Sequence, residues 1–147
     1  MKMEKIAVRP CVILIKDNKV LVIHCKYEEE FYLFPGGGVE FGETIKAGAI
    51  REMYEETGIK VKTIKIVYIN DYIEDRKTNT RVLNIFFLAK RVGGKVKQGE
   101  RDGGKVKKIE WIELDKFDKF DFRPKYISKH LKEDYEKGFP NIPYFVS

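Results

Sequence analysis

Within the stretch REMYEETG, residues 51–58, the acids Glu52, Glu55 and Glu56 fall close together. On a helix of about 3.6 residues per turn they lie roughly one turn apart on a single side, so three like charges crowd. One meaning of such a cluster is a solvated acidic face. The other is a cation site. Three ionised carboxylates repel, and without a partner at least one should have a raised pKa. A hard divalent ion such as Mg²⁺ or Mn²⁺ reverses that logic: it takes oxygen ligands, holds the acids ionised and keeps positions for water and phosphate oxygens. No D-x-[DN]-x-[DN]-G spacing occurs, which excludes a calcium loop.

The element that must carry these acids is legible. Residues 44–57 contain no proline and place Ile45, Ala49 and Met53 at the i, i+4, i+8 spacing of an amphipathic helix, and Gly58 supplies its stop. Gly48 lies inside this helix, on the acid-bearing side, at a cost of about 1 kcal/mol relative to alanine. It either clears a hollow beside the carboxylates or allows close packing against a neighbouring loop. Ahead of the helix, FYLF at 31–34 stops at Pro35, and Gly36, Gly37 and Gly38 can bring main-chain groups close to a ligand.

Around this core, residues 6–15 and 20–25 are rich in β-branched side chains and flank KDNK, which predicts paired strands about a tight turn. Residues 60–73 and 81–91 read as two more strands joined by the polar EDRKTNT, and 108–114 alternates like a half-buried strand. Residues 93–104 hold five glycines and few apolar groups, which predicts a mobile loop. A last helix is expected from near Pro124 to before Gly138. Strands before, between and after two helices predict an α/β protein with a mixed β-sheet sandwiched by helices.

The 147 residues fit a single domain spanning 1–147, and 43% hydrophobic with 35% charged residues excludes a disordered chain. No apolar run is long enough for a spanning helix, and MKMEKIAVRP lacks the apolar core of a signal peptide, so a cytoplasmic protein without membrane association is expected. Cys11 and Cys25 lack the count and spacing of a disulfide framework or zinc site and are expected to be buried thiols. The net charge of +6 favours encounter with phosphate-rich ligands.

From Gly37 to Ile59 the chain reads GGVEFGETIKAGAIREMYEETGI, which resembles the Nudix box, G-x5-E-x7-R-E-U-x-E-E-x-G-U with U an aliphatic or similar residue. Gly37, Glu43, Arg51, Glu52, Met53, Glu55, Glu56, Gly58 and Ile59 fill every defined position. The strand order and the later Glu110–Trp111 pair are also similar to that family. The resemblance implies an α/β/α sandwich and a metal-dependent hydrolase that cleaves the pyrophosphate linkage of a nucleoside diphosphate derivative. It assigns Glu52, Glu55 and Glu56 to Mg²⁺ or Mn²⁺, gives the Gly36 carbonyl a part in metal binding, and makes Arg51 and Glu43 orienting residues. Those two stand eight apart, about two turns on one side, so an ion pair bracing loop against helix is expected.

In parts of the family a carboxylate from a distant loop takes the proton of the attacking water. Besides Glu52, the candidate here is Glu100 in QGERDGG, as base or additional metal ligand, with Asp102 behind it; ordinary loop solubility is the competing account. The expected substrate is a small nucleotide, either a noncanonical nucleoside triphosphate or a nucleotide sugar. An RNA 5′-end pyrophosphohydrolase and a non-catalytic nucleotide-binding regulator are the alternatives, and the resemblance is compatible with a homodimer. Among Tyr27, Phe31, Tyr32, Tyr72 and Phe87, which could stack on a base, Tyr27 and Tyr32 flank the acidic EEE turn and are the expected substrate-binding pair. His24 and His130 lack a paired nucleophile or ligand spacing and are expected to be structural.

Overall fold

The computed structural model describes residues 5–77 and 79–147, apart from the side chains of Asp75 and Asp102. Strand β1 (Lys5–Lys16) and β2 (Lys19–Lys26) meet through Asp17 and Asn18, at φ of 53° and 60°. Two consecutive positive φ values match the right-handed twist of a two-residue hairpin, and Asp and Asn tolerate them best among side-chain-bearing residues. The hairpin closes Ile15 on Val20.

β1 is the hinge of the architecture. Most of its length pairs in parallel with β5 (Thr80–Gly94), from Lys5 opposite Thr80 to Leu14 opposite Ala89, while its end turns onto β2. β3 (Glu30–Leu33) pairs antiparallel with β2; β4 (Ile59–Asp75) pairs antiparallel with β5 and carries several register shifts. β6 (Glu100–Asp102) and β7 (Lys105–Glu113) extend the sheet beyond β2. β8 (Phe122–Arg123) runs parallel to β3, and β9 (Tyr144–Val146) parallel to β4. The resulting order is β6-β7-β2-β1-β5-β4-β9, with β3 and β8 branching from β2.

Helices cover both faces, which makes the middle strands largely apolar. Along β1, Val12 and Leu14 point into one cluster with Ala49 and Met53 of helix α1 (Ile45–Thr57); Cys11 and Ile13 point into another with Ile127 and Leu131 of α2 (Lys125–Glu136). Alternate residues of one strand therefore feed two cores, and residues 10–14 are all buried. A 3-10 turn at Leu114–Lys119 adds Leu114 and Phe117 beneath α2, and Tyr68 of β4 donates to Asp134 Oδ2 at 2.5 Å. This is the expected α/β/α sandwich with a mixed sheet. Among the described residues no helix is long and apolar enough to cross a membrane.

Two expectations need correction. The buried side of α1 consists of Gly48, Ala49, Met53 and Thr57; Ile45, in the first turn, remains 37% exposed, so the apolar stripe is one turn shorter than its pattern. The glycine-rich span 93–104 is strand at Gly93–Gly94 and Glu100–Asp102 and tethered between them. β5 continues to Gly94 opposite Ile59, the N–H groups of Lys95 and Lys97 donate to the carbonyls of Gly58 and Thr57 at 3.1 and 2.9 Å, and Glu100–Asp102 pairs with β7. Gly94, at φ 82°, sits so close to the Gly58 carbonyl that a β-carbon would overlap it. Glycine here serves close approach to the end of α1, whose last carbonyls need donors.

Candidate functional site

Thr44 caps α1 by accepting from the Ala47 N–H at 3.0 Å, and Gly58 ends it at φ 81°. Between these ends, Arg51 gathers the acids. Its Nε and Nη2 donate to Glu43 Oε2 and Oε1 at 3.0 and 2.7 Å, a bidentate pair that joins the loop before the helix to the helix itself. Nη2 also donates to the Gly38 carbonyl at 3.1 Å, and Nη1 reaches Glu52 Oε1 at 2.8 Å and Glu55 Oε2 at 3.2 Å. The Arg51 hydrogen bonds, followed by the Glu40 N–H, hold the Glu43 carboxyl down at about 2. The expected brace is thus present as geometry.

Gly36 and Gly37 are placed by β1. Val12 N–H donates to the Pro35 carbonyl and Gly37 N–H to the Pro10 carbonyl, which leaves the N–H and C=O of Gly36 turned away from β1. A backbone hydrogen bond from Gly36 reaches Glu56. At Gly37 a β-carbon would overlap the Glu52 carboxylate, so that acid lies directly over bare backbone. Gly48 is resolved in favour of close packing: a β-carbon there would come 3.0 Å from Glu43 Oε1 and 3.1 Å from Pro10 Cγ.

Glu52, Glu55, Glu56 and Glu100 line one cavity of about 160 Å³ together with Gln98, Gly99, Lys107 and two isoleucines. The tethering of residues 95–97 to the end of α1 brings Glu100 there. Lys97 Nζ stands 3.5 Å from Glu100 Oε1 and also donates to the Glu55 carbonyl. The Asp102 side chain lies outside the described residues. Burial pushes the Glu56 carboxyl up to about 6, against the opposing pull of Lys107 and Gly36 and with a further push from Glu52. Lys107 is itself held above its ordinary value: desolvation lowers it, and the carboxylate of Glu56, with smaller contributions from other neighbours, outweighs that.

Glu56 and Lys107 also line a second, larger cleft of about 570 Å³, with Gly36, Arg9, Phe31, Tyr72, Asn70, Asn84 and Arg123 among its walls. The expected aromatic pair is not in it. Tyr32 alternates to the opposite side of β3 from Phe31, is 7% exposed, and stacks on His24 at 4.2 Å within the α2-side core. Tyr27 lies in a surface hollow with Glu28, Glu29 and Lys105 that shares Phe31 with the cleft, its ring edge-on to Phe31 at 5.5 Å. Of the five aromatic candidates Phe31 and Tyr72 line the cleft, beside Phe34 and Phe86, and the Arg123 guanidinium lies 4.3 Å from the centre of the Phe31 ring. Phe87 is core. His24 bridges Glu30 and Glu110 at 2.6 and 3.1 Å, and His130 bonds the Tyr126 carbonyl. Cys11 and Cys25 are buried free thiols.

Sequence reasoning missed Lys107, Arg9, Asn70 and Asn84 as cleft residues. Only Asn84 left a signal, as the one polar residue interrupting the apolar run VLNIFFLA.

In kind the donors suit a hard divalent cation: carboxylate oxygens from three glutamates on one helical side, one of them raised by burial, and a carbonyl turned away from its strand. Among the described residues, no group of three His, Cys, Asp or Glu side chains is set for a single ion. Besides Glu43, Arg51 engages two of the three glutamates that the resemblance assigns to the metal, Glu52 and Glu55.

The NUDIX domain pattern matches residues 5–131. An ADP-ribose pyrophosphatase of Methanocaldococcus jannaschii is 36% identical over 121 residues, which cover 80% of this chain and 68% of that one. A diphosphoinositol polyphosphate phosphohydrolase 3-alpha of Mus musculus is 33% identical over 67 residues, 46% of this chain and 41% of that protein. Among solved structures, a NUDIX hydrolase from Nitrosomonas europaea superposes with a TM-score of 0.74 at 22% identity, covering 92% of this chain and 91% of that one. The chain belongs to the NUDIX family and is a hydrolase of phosphorus-containing anhydrides.

Proposed function

We propose that this protein is a metal-dependent pyrophosphohydrolase acting on a nucleoside diphosphate linked to a sugar, an ADP-ribose-like substrate. The observation that carries this reading is the junction of two cavities at Glu56 and Lys107: a small acidic one suited to ion and diphosphate, and a larger one with aromatic and amide walls suited to a nucleoside. The similarity over 121 residues to an ADP-ribose pyrophosphatase supports the nucleotide-sugar choice.

Glu52, Glu55, Glu56 and the Gly36 carbonyl would hold Mg²⁺ or Mn²⁺. When bound, that ion supplies neutralisation of the diphosphate charge and acidification of water. The chain's own residues do the rest. Arg51 and Glu43 keep the acidic turn in register with the Gly37 loop. Lys107 faces the phosphates between the two cavities and offsets their charge. Glu100 accepts the proton of a water that attacks one phosphorus, and the P–O bond of the bridge breaks to give a nucleoside monophosphate and a sugar phosphate. Phe31 and Tyr72 offer ring faces to the base.

The test is metal-dependent turnover of ADP-ribose and a panel of nucleoside triphosphates by the wild type, Glu55→Gln and Glu100→Gln. Loss of rate in both variants with the fold retained is expected. Near-wild-type turnover by Glu55→Gln removes the mechanism; unchanged turnover by Glu100→Gln removes only its role as base.

A further inference from the structure

Two amides lie on the wall of the large cleft where apolar side chains would be expected. Asn70 on β4 is 1% exposed and Asn84 on β5 is 9% exposed. Their order is set by chemistry. The Phe145 carbonyl can only accept, so the group facing it at 3.4 Å is Asn70 Nδ2, which also donates to Ser147 Oγ at 3.0 Å. Asn70 Oδ1 therefore faces the other way and accepts from Asn84 Nδ2 at 3.1 Å. Asn84 Oδ1 is left with the Cys11 thiol at 4.0 Å, a weak donor, and the second Nδ2 hydrogen of Asn84 has no acceptor among the described residues. Asn84 thus keeps one donor and one acceptor side by side on a wall that also carries Phe31 and Tyr72.

We propose that Asn84 reads the N7 and amino edge of an adenine base in this cleft, with Asn70 and the β9 carbonyl fixing the direction of its amide. The proposal rests on the reading of the cleft as the nucleoside pocket. An amide matches a ligand edge that offers an acceptor beside a donor. Adenine's N7 edge offers that pair, its amino group beside N7, whereas guanine's N7 edge presents two acceptors, N7 and O6. Asn84 makes two bonds to adenine at that edge and loses one of them to guanine.

Calorimetric binding of AMP and GMP tests this without requiring turnover. Wild-type protein is expected to bind AMP about 10-fold or more tightly than GMP. Asn84→Leu should abolish that preference. Asn70→Leu, which frees the Asn84 amide to turn over, should lower the AMP-to-GMP ratio while Asn84 itself is unchanged, a shift that mere loss of packing would not produce. Purine riboside monophosphate, which lacks the amino group, should bind the unaltered protein about 10-fold more weakly than AMP; this arm needs no variant to fold. Equal binding of AMP and GMP by the wild type, or an AMP preference that survives Asn84→Leu, overturns the proposal. An AMP preference without hydrolysis of ADP-ribose leaves it standing and removes the functional reading instead; hydrolysis without base preference does the reverse.

Discussion

Replacing Glu56 by glutamine separates the electrostatic cost of this acid from its chemical use. Burial raises its carboxyl to about 6 from an ordinary value of 4.5. A raised carboxyl pKa means the folded protein binds the proton more tightly than the unfolded chain does. The stabilising contribution of the protonated form is therefore complete below about pH 4.5 and lost as pH rises through about 6. The gap between 6 and 4.5, at about 1.36 kcal/mol per pH unit, gives about 2 kcal/mol, reduced to about 1–2 kcal/mol because the side chain is not fully buried. Glutamine keeps the shape and carries no charge. Without divalent metal at pH 7.5, Glu56→Gln should melt about 2–8 °C above the wild type, and the difference should vanish near pH 4.5. Adding Mn²⁺ should raise the melting point of the wild type and leave the variant nearly unmoved, while hydrolysis by the variant falls about 100-fold or more. Thermal denaturation over a pH series, with and without metal, reads all three. A variant no more stable than wild type at pH 7.5, or a gain that persists at pH 4.5, would refute the argument that burial of an under-compensated acid dominates this turn.

Other outcomes follow from the same geometry. Arg51→Lys keeps the charge but loses the two-pronged grip on Glu43, and steady-state hydrolysis should fall about 10- to 100-fold with little change in melting temperature. Gly37→Ala drives a β-carbon into the Glu52 carboxylate and should reduce kcat about 100-fold by displacing that acid, detectable against an unchanged circular-dichroism spectrum. Met53→Ala, at a fully buried core position, should cost about 2–5 kcal/mol in urea denaturation and leave the activity of the still-folded fraction near wild type.

The helix, its caps and its acids were legible because they are local. Thr44, the Ala49 and Met53 spacing and Gly58 each act within a few residues, and Arg51 and Glu43 meet because loop and helix are contiguous. What misled was composition without partners. The glycines of 93–104 look like freedom in isolation, yet they permit a close crossing over the end of α1 and deliver Glu100 to the acids. Tyr32 looks like a pocket residue by its place beside EEE, yet strand alternation sends Phe31 to the cleft and Tyr32 to the core.

The sequence by itself determined the acidic turn, the element that carries it and the layering of the sheet, since periodicity, capping and charge spacing are properties of neighbouring residues. Only the tertiary structure decided which distant strands face that turn. Lys107 reaches Glu56 from β7, and Asn70 and Asn84 meet across β4 and β5 under a carbonyl from β9. Such meetings depend on register between segments far apart in the chain, where a slip of one residue would turn every one of those side chains to the opposite face.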